Sequence, residues 1–106
     1  MSISIASRQY TYDGEPLQCR FCLPVADRND YYCEYEIDWP TGMRARKVYG
    51  VDAVQALILA MKTAHADLLM ARKDHGVSLQ WFDSEQLGLP ISSVLQDLDP
   101  SADRSN

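Results

Sequence analysis

Cys19-Arg20-Phe21-Cys22 has the two-residue spacing of a zinc or redox pair, and Cys33, His65 and His75 are the further side chains that could complete a ligand set. The surrounding sequence argues against that chemistry. If residues 17–23 are extended, positions three apart project to opposite faces and are displaced by about 10 Å. Shared ligation or disulfide exchange would need a turn, which Arg20-Phe21 does not supply. The three cysteines are therefore expected to be small buried or half-buried hydrophobes, with no metal and no cofactor. His65 falls among Met61, Leu68 and Leu69, where a histidine hydrogen-bonded within the core is the plain expectation. Glu34, Glu36 and Asp38 could be drawn as an acid/base pair. Arg44 and Arg46 follow at a spacing that would match them across a hairpin, which makes a solvated strand face the simpler reading. A Gly-rich phosphate loop, a nucleophile elbow and a paired-histidine metal motif are all missing from the sequence, and no catalytic residue is assigned.

These residues must be positioned by a small set of elements. Val51 to His75 contains no Gly or Pro. It opens at Asp52, which can cap a first turn with Gln55 returning the hydrogen bond, and closes at Gly76, where a left-handed C-cap belongs. Val54, Leu57, Ile58, Met61, Ala64, His65, Leu68 and Leu69 recur at three- and four-residue steps and predict one apolar helix face. Arg72 continues this face into the last turn, where the helix dipole favours it.

Two hairpins precede the helix. Ile3 to Tyr12 and Leu17 to Leu23 flank Asp13-Gly14-Glu15-Pro16, and Leu17, Cys19, Phe21 and Leu23 should share the core face. The parity of Ile3 and Ile5 differs from that of Tyr10 and Tyr12, which predicts a bulge between Ala6 and Gln9. Tyr32 to Trp39 alternates cleanly, and Pro40-Thr41-Gly42 reads as a three-residue loop. That loop sets Trp39 opposite Met43 and Ile37 opposite Ala45 inside, and Asp38 opposite Arg44 and Glu36 opposite Arg46 outside. Lys47 then falls on the inner face opposite Tyr35, a poor fit that an edge strand would explain. Val77, Leu79 and Trp81 suggest a fifth strand. The fold class expected is α+β, in two layers: a four- to five-stranded, mainly antiparallel sheet with one long helix on one face, in the order β-β-β-β-α-β. Residues 1–95 should form a single domain, and the polar stretch 96–106 is expected to be disordered.

Composition narrows the function classes. The formal charge is -5 and the pI near 4.8, with six Lys/Arg against seven Asp/Glu in residues 1–49 and four against eight in residues 50–106. Nucleic acid needs a concentrated basic face, so it is not an expected partner. No membrane partner is expected either, because Gln55, Lys62, Thr63 and Asp67 interrupt the one apolar stretch of sufficient length. The residues Met-Ser-Ile-Ser-Ile do not read as a secretory signal, and an odd number of cysteines suits a reducing compartment, so a cytoplasmic location is expected.

The combination Gly50-Val51-Asp52, Gln55-Ala56-Leu57, Trp81 and Leu87-Gly88-Leu89-Pro90 resembles a family of small bacterial proteins known only as a domain of unknown function, over roughly residues 30 to 91. The resemblance implies a bacterial source and carries no activity or site residues.

What remains is surface. Leu59, Ala66 and Met70 fall together on the helix side opposite the core stripe, among Gln55, Lys62, Thr63 and Lys73, and form the candidate partner surface, most simply for the same helix of a second copy. The function expected is a non-enzymatic bacterial protein-interaction module acting through a protein partner or as a homodimer. The rivals are an immunity-type inhibitor whose acidic surface covers a basic toxin, and a small enzyme with a pocket around His65, Tyr35 and the cysteines.

Overall fold

The computed structural model describes residues 2–91, so the tail expected at 96–106 lies outside the described residues. Strands β1 (Ser4–Tyr12), β2 (Glu15–Cys22), β3 (Val25–Asp27), β4 (Asp30–Trp39) and β5 (Gly42–Gly50) come first. Helix α1 (Ala53–His75) and the short β6 (Leu79–Gln80) follow. The fold is α+β and antiparallel as expected, with one strand more before the helix than the hairpin reading gave.

The chain begins as a meander. Asp13 and Gly14, both at positive φ, form a two-residue turn, which sets Tyr12 opposite Glu15 and Tyr10 opposite Leu17. Beyond Cys22 and the Leu23-Pro24 break, β3 resumes the line of β2, so the two strands lie end to end along β4: Cys19 opposes Ile37 and Val25 opposes Tyr32. Strand β5 lines the far side of β4 over its whole length, and β6 pairs with Thr11 and Tyr12 at the opposite edge. The irregularity in β1 lies between Ser4 and Ala6, nearer the start than predicted, and it leaves Ile3 and Ile5 exposed. Leu23, expected on the core face, is also exposed, because the Pro24 break ends the alternation.

The helix is punctuated as the sequence requires. The Asp52 carboxylate accepts from Gln55 N–H at 2.8 Å, the Gln55 side chain accepts from Val51 N–H at 2.7 Å, and Gly76 is left-handed at φ 62°. Its buried face differs from the prediction. Ala56, Ala60, Ala64, His65, Leu68 and Leu69 are buried, whereas Val54 is 65% exposed and Ile58 is exposed. The reason is close approach. A Cβ at Gly50 would stand 2.5 Å from Ala56 N, so only small residues fit where the helix leaves β5. Further along, residues 77–91 return along the helix flank, and the buried stripe rotates toward them. Arg72 Nη1 donates to Leu79 O at 3.1 Å and to Glu85 O at 2.9 Å, fastening that segment to the helix.

The core sits between the sheet's inner face and this second layer. Tyr10, Leu17, Cys19, Tyr35, Ile37, Leu68, Leu69, Leu79 and Leu87 are essentially inaccessible, each large aliphatic chain contributing roughly 1.5–3 kcal/mol on burial. The helix is apolar enough in composition to span a membrane, with a mean hydropathy of 1.2 over its best window. Its buried stripe is laid on the sheet.

Candidate functional site

The β4–β5 hairpin decides where the charged side chains go. The loop is Pro40-Thr41 alone, so Trp39 opposes Gly42, Asp38 opposes Met43, Ile37 opposes Arg44, Glu36 opposes Ala45 and Tyr35 opposes Arg46. The predicted register is off by one residue, and a one-residue slip moves every side chain of the strand to the other face. Arg44 and Arg46 thus project from the inner face, and Lys47 is outward, opposite Glu34, with its Nζ 4.7 Å from the centre of the Tyr32 ring. The outward carboxylates find another partner. Arg20 on β2 donates Nε to Glu36 at 2.8 Å and both terminal nitrogens to Asp38 at 2.7 Å. This two-pronged contact holds the Asp38 carboxyl below its usual value.

On the inner face, the turn end of the hairpin and the last turns of α1 enclose an open cleft of about 500 Å³. Tyr35, Ile37 and Trp39 form its floor, Arg44 and Arg46 one wall, and Asp67, Met70, Ala71 and His75 the other, with Tyr12 closing the end. Tyr12 meets Trp39 edge to face, their ring centres 6.2 Å apart. The Tyr35 hydroxyl donates to Asp67, and Arg46 Nη1 donates to the same carboxylate at 3.0 and 3.2 Å. Burial, and then the Asp67 carboxylate, push the Tyr35 phenol well above its usual value, so it stays a proton donor through the physiological range. Among the described residues Arg44 makes no ion pair.

The residues singled out from the sequence are dispersed. His65 is fully buried and its Nδ1 lies 3.1 Å from Pro90 O. A carbonyl only accepts, so Nδ1 carries the proton. Neither His65 nor any cysteine lines the cleft that Tyr35 helps to form. Burial pushes the Cys19 thiol up to about 12, and Cys22 and Cys33 are raised by burial as well. Cys33 Sγ donates to Cys22 O at 3.3 Å. These are thiols held away from nucleophilic chemistry. Of the helix seam, Leu59 and Ala66 are half-buried and Met70 is 38% exposed at the cleft rim.

A second surface was not anticipated. Trp81 and Ser84 bond to each other through both N–H groups around Phe82-Asp83, two non-glycine residues at φ 52° and 63°. Phe82 at this tip is 86% exposed. A left-handed conformation costs an aromatic residue roughly 1–2 kcal/mol. Behind the turn, the Arg8 guanidinium lies 3.9 Å from the centre of the Trp81 ring and donates to Gly88 O at 2.7 Å, while Tyr10 donates to Leu87 O at 2.8 Å. Gly88 is left-handed, and a Cβ there would meet Trp81 at 2.4 Å. Gly50, Gln55, Trp81 and Leu87-Gly88 are therefore the residues that start the helix and anchor the return segment, so the motif they form marks architecture.

An antiparallel meander with one helix and a return segment over its inner face, and an open cleft where that cover stops, defines a small two-layer α+β domain. Residues 6–91 match the family described as a domain of unknown function (DUF6968), and the chain belongs to that family. No curated protein and no solved structure matches it.

Proposed function

We propose that the protein is a non-enzymatic interaction module of the bacterial cytoplasm that pairs through the edge of β1 left open among the described residues, forming a homodimer in which two β1 edges join antiparallel. The observation that carries this reading is the contrast between the two sheet edges. Strand β5 ends the sheet with Arg44, Arg46 and Lys47, the charged composition that keeps an edge from pairing. On the other side β6 covers only Thr11 and Tyr12. The two-residue turn fixes Tyr12, Tyr10 and Arg8 as the residues bonded to β2, so the N–H and C=O groups of Ser7 and Gln9 point outward. That stretch carries no outward charge, since Arg8 is held under Trp81, and it is continued by Ile3, 62% exposed, and Ile5, 48% exposed. Phe82 stands beside it as an apolar contact. An edge that pairs with its own copy is self-complementary and closes as a two-fold dimer. The helix seam of Leu59, Ala66 and Met70 offers less free apolar surface, so the edge is favoured over it.

Sedimentation equilibrium tests this. A dimer is expected, shifted to monomer by Gln9→Pro, which removes an outward N–H, and by Phe82→Ser. Leu59→Asp with Met70→Asp should leave it dimeric. A monomer throughout the micromolar range for the unmodified protein, or dissociation only by the helix pair, would overturn the reading.

A further inference from the structure

We propose that the cleft between the β4–β5 turn and the end of α1 binds a small organic anion, a carboxylate or phosphate carried on a flat apolar group. Arg44 and Arg46 would receive the anionic end, and Trp39 and Tyr12 the ring. Three observations converge on this chemistry. First, the register turns two arginines onto the face of the sheet that elsewhere is the core, and the helix does not cover them. Second, their charge exceeds its local compensation. Among the described residues Asp67 is the one carboxylate on the cleft wall, and it is already engaged by Tyr35 and Arg46, while Arg44 has no ion pair. This excess of positive charge lies in a chain of net charge -5, so it is a local feature and not a general trend. Third, one end of the cleft is an aromatic wall. Trp39 and Tyr12 meet edge to face and present ring surface to the opening. A volume of about 500 Å³ suits a small molecule, within the usual range of roughly 300–1,000 Å³ for such sites.

The arginine fork matches both planar carboxylate and phosphate oxygens, which is why the two anions are treated as one chemistry. With Tyr35 donating to Asp67, both carboxylate-facing groups of the junction are engaged within the protein, which leaves Arg44 as the cation facing the opening. The cleft shares no lining residue with the groove beside Phe82, so this inference stands independently of the proposed dimer.

The test is a titration followed by the indole N–H signal of Trp39 in proton–nitrogen correlation spectra, assigned with Trp39→Phe. Phenyl phosphate and benzoate are the probes, with inorganic phosphate and benzylamine as the comparison arms. Phenyl phosphate or benzoate should move the Trp39 signal saturably. Arg44→Gln, with its other signals unchanged, should weaken that binding by roughly 10- to 100-fold, the loss expected for one charge-assisted hydrogen-bonded contact. Benzylamine should leave the signal in place. No saturable shift with either aromatic anion, equal affinity in Arg44→Gln, or binding of benzylamine as tight as that of benzoate would overturn the inference. Inorganic phosphate binding as tightly as phenyl phosphate would overturn the role of the aromatic wall. Sedimentation of Arg44→Gln should match that of the unmodified protein, which separates a failure here from a failure of the edge pairing.

Discussion

Arg46 stands directly across the β4–β5 ladder from Tyr35, and both side chains bond to the carboxylate of Asp67 on the helix. This junction ties hairpin to helix, and it exists only in the register that turns Arg46 inward. In a double-mutant cycle, Asp67→Ala should cost about 1–3 kcal/mol by urea denaturation, since the buried Tyr35 hydroxyl loses its acceptor. Arg46→Ala should cost less, about 0.2–1 kcal/mol, because its side chain is largely solvated. The two effects should be coupled. Additivity within error would mean that Arg46 points outward, as the three-residue loop would have it.

The helix face can be tested by a pair of opposite substitutions. Ala60 is fully buried against the sheet, so Ala60→Leu should destabilise the protein by about 1–3 kcal/mol through overpacking. Val54 is exposed, and Val54→Ser should change the stability by no more than about 0.5 kcal/mol. Thermal or urea unfolding decides between this face and the one drawn from Val54, Ile58 and Met61, which gives the reverse order.

The outer ion cluster predicts an acid response of defined sign. The Asp38 carboxyl, bonded by Arg20, has its pKa lowered on folding, so the pair contributes stability above the ordinary aspartate value and loses it as the pH falls through the lowered one. Asp38→Asn should therefore be less stable than the unmodified protein near neutral pH, by roughly 0.2–1 kcal/mol for so solvated a pair. That difference should shrink toward zero as the pH drops below about 4, the unperturbed aspartate region. Urea midpoints at several pH values check it, and a difference that grows on acidification would contradict the assignment.

Several of these features were legible in the sequence. Asp52, Gln55 and Gly76 punctuate the helix through hydrogen bonds closed within a few residues, and Asp13-Gly14 specifies its turn for the same reason. The alternation of Cys33, Tyr35 and Ile37 marks the inner side of β4. The slip in β5 was not legible, because Pro40-Thr41-Gly42 permits loops of two or three residues. The cross-strand pairing of Asp38 and Glu36 with Arg44 and Arg46 was a plausible but competing guide. The charges that settle it, Arg20 for the outer row and Asp67 for the inner, are distant in sequence. The cleft rests on that register, and it was missed with it. The exposed Phe82 directly follows Val77, Leu79 and Trp81, the alternation that suggested a fifth strand, and a tight turn of two left-handed non-glycine residues leaves no ordinary signal.

The amino-acid sequence alone determined the two hairpins ahead of the helix, the helix ends, the inward side of β2 and β4, and the membership of an α+β class, since each follows from spacings and hydrogen bonds spanning a handful of residues, whereas the short β3 carried no such pattern. Tertiary structure alone decided which way β5 faces, which stripe of the helix is buried, and where the cover over the sheet stops. Those outcomes depend on contacts between different elements, which no single element's pattern contains: Asp67 of the helix with Arg46 of β5, Gly50 at the end of β5 with Ala56 of the helix, and Arg72 of the helix with the returning segment. No local pattern encodes them, because a one-residue shift preserves every local preference while exchanging the two faces of a strand.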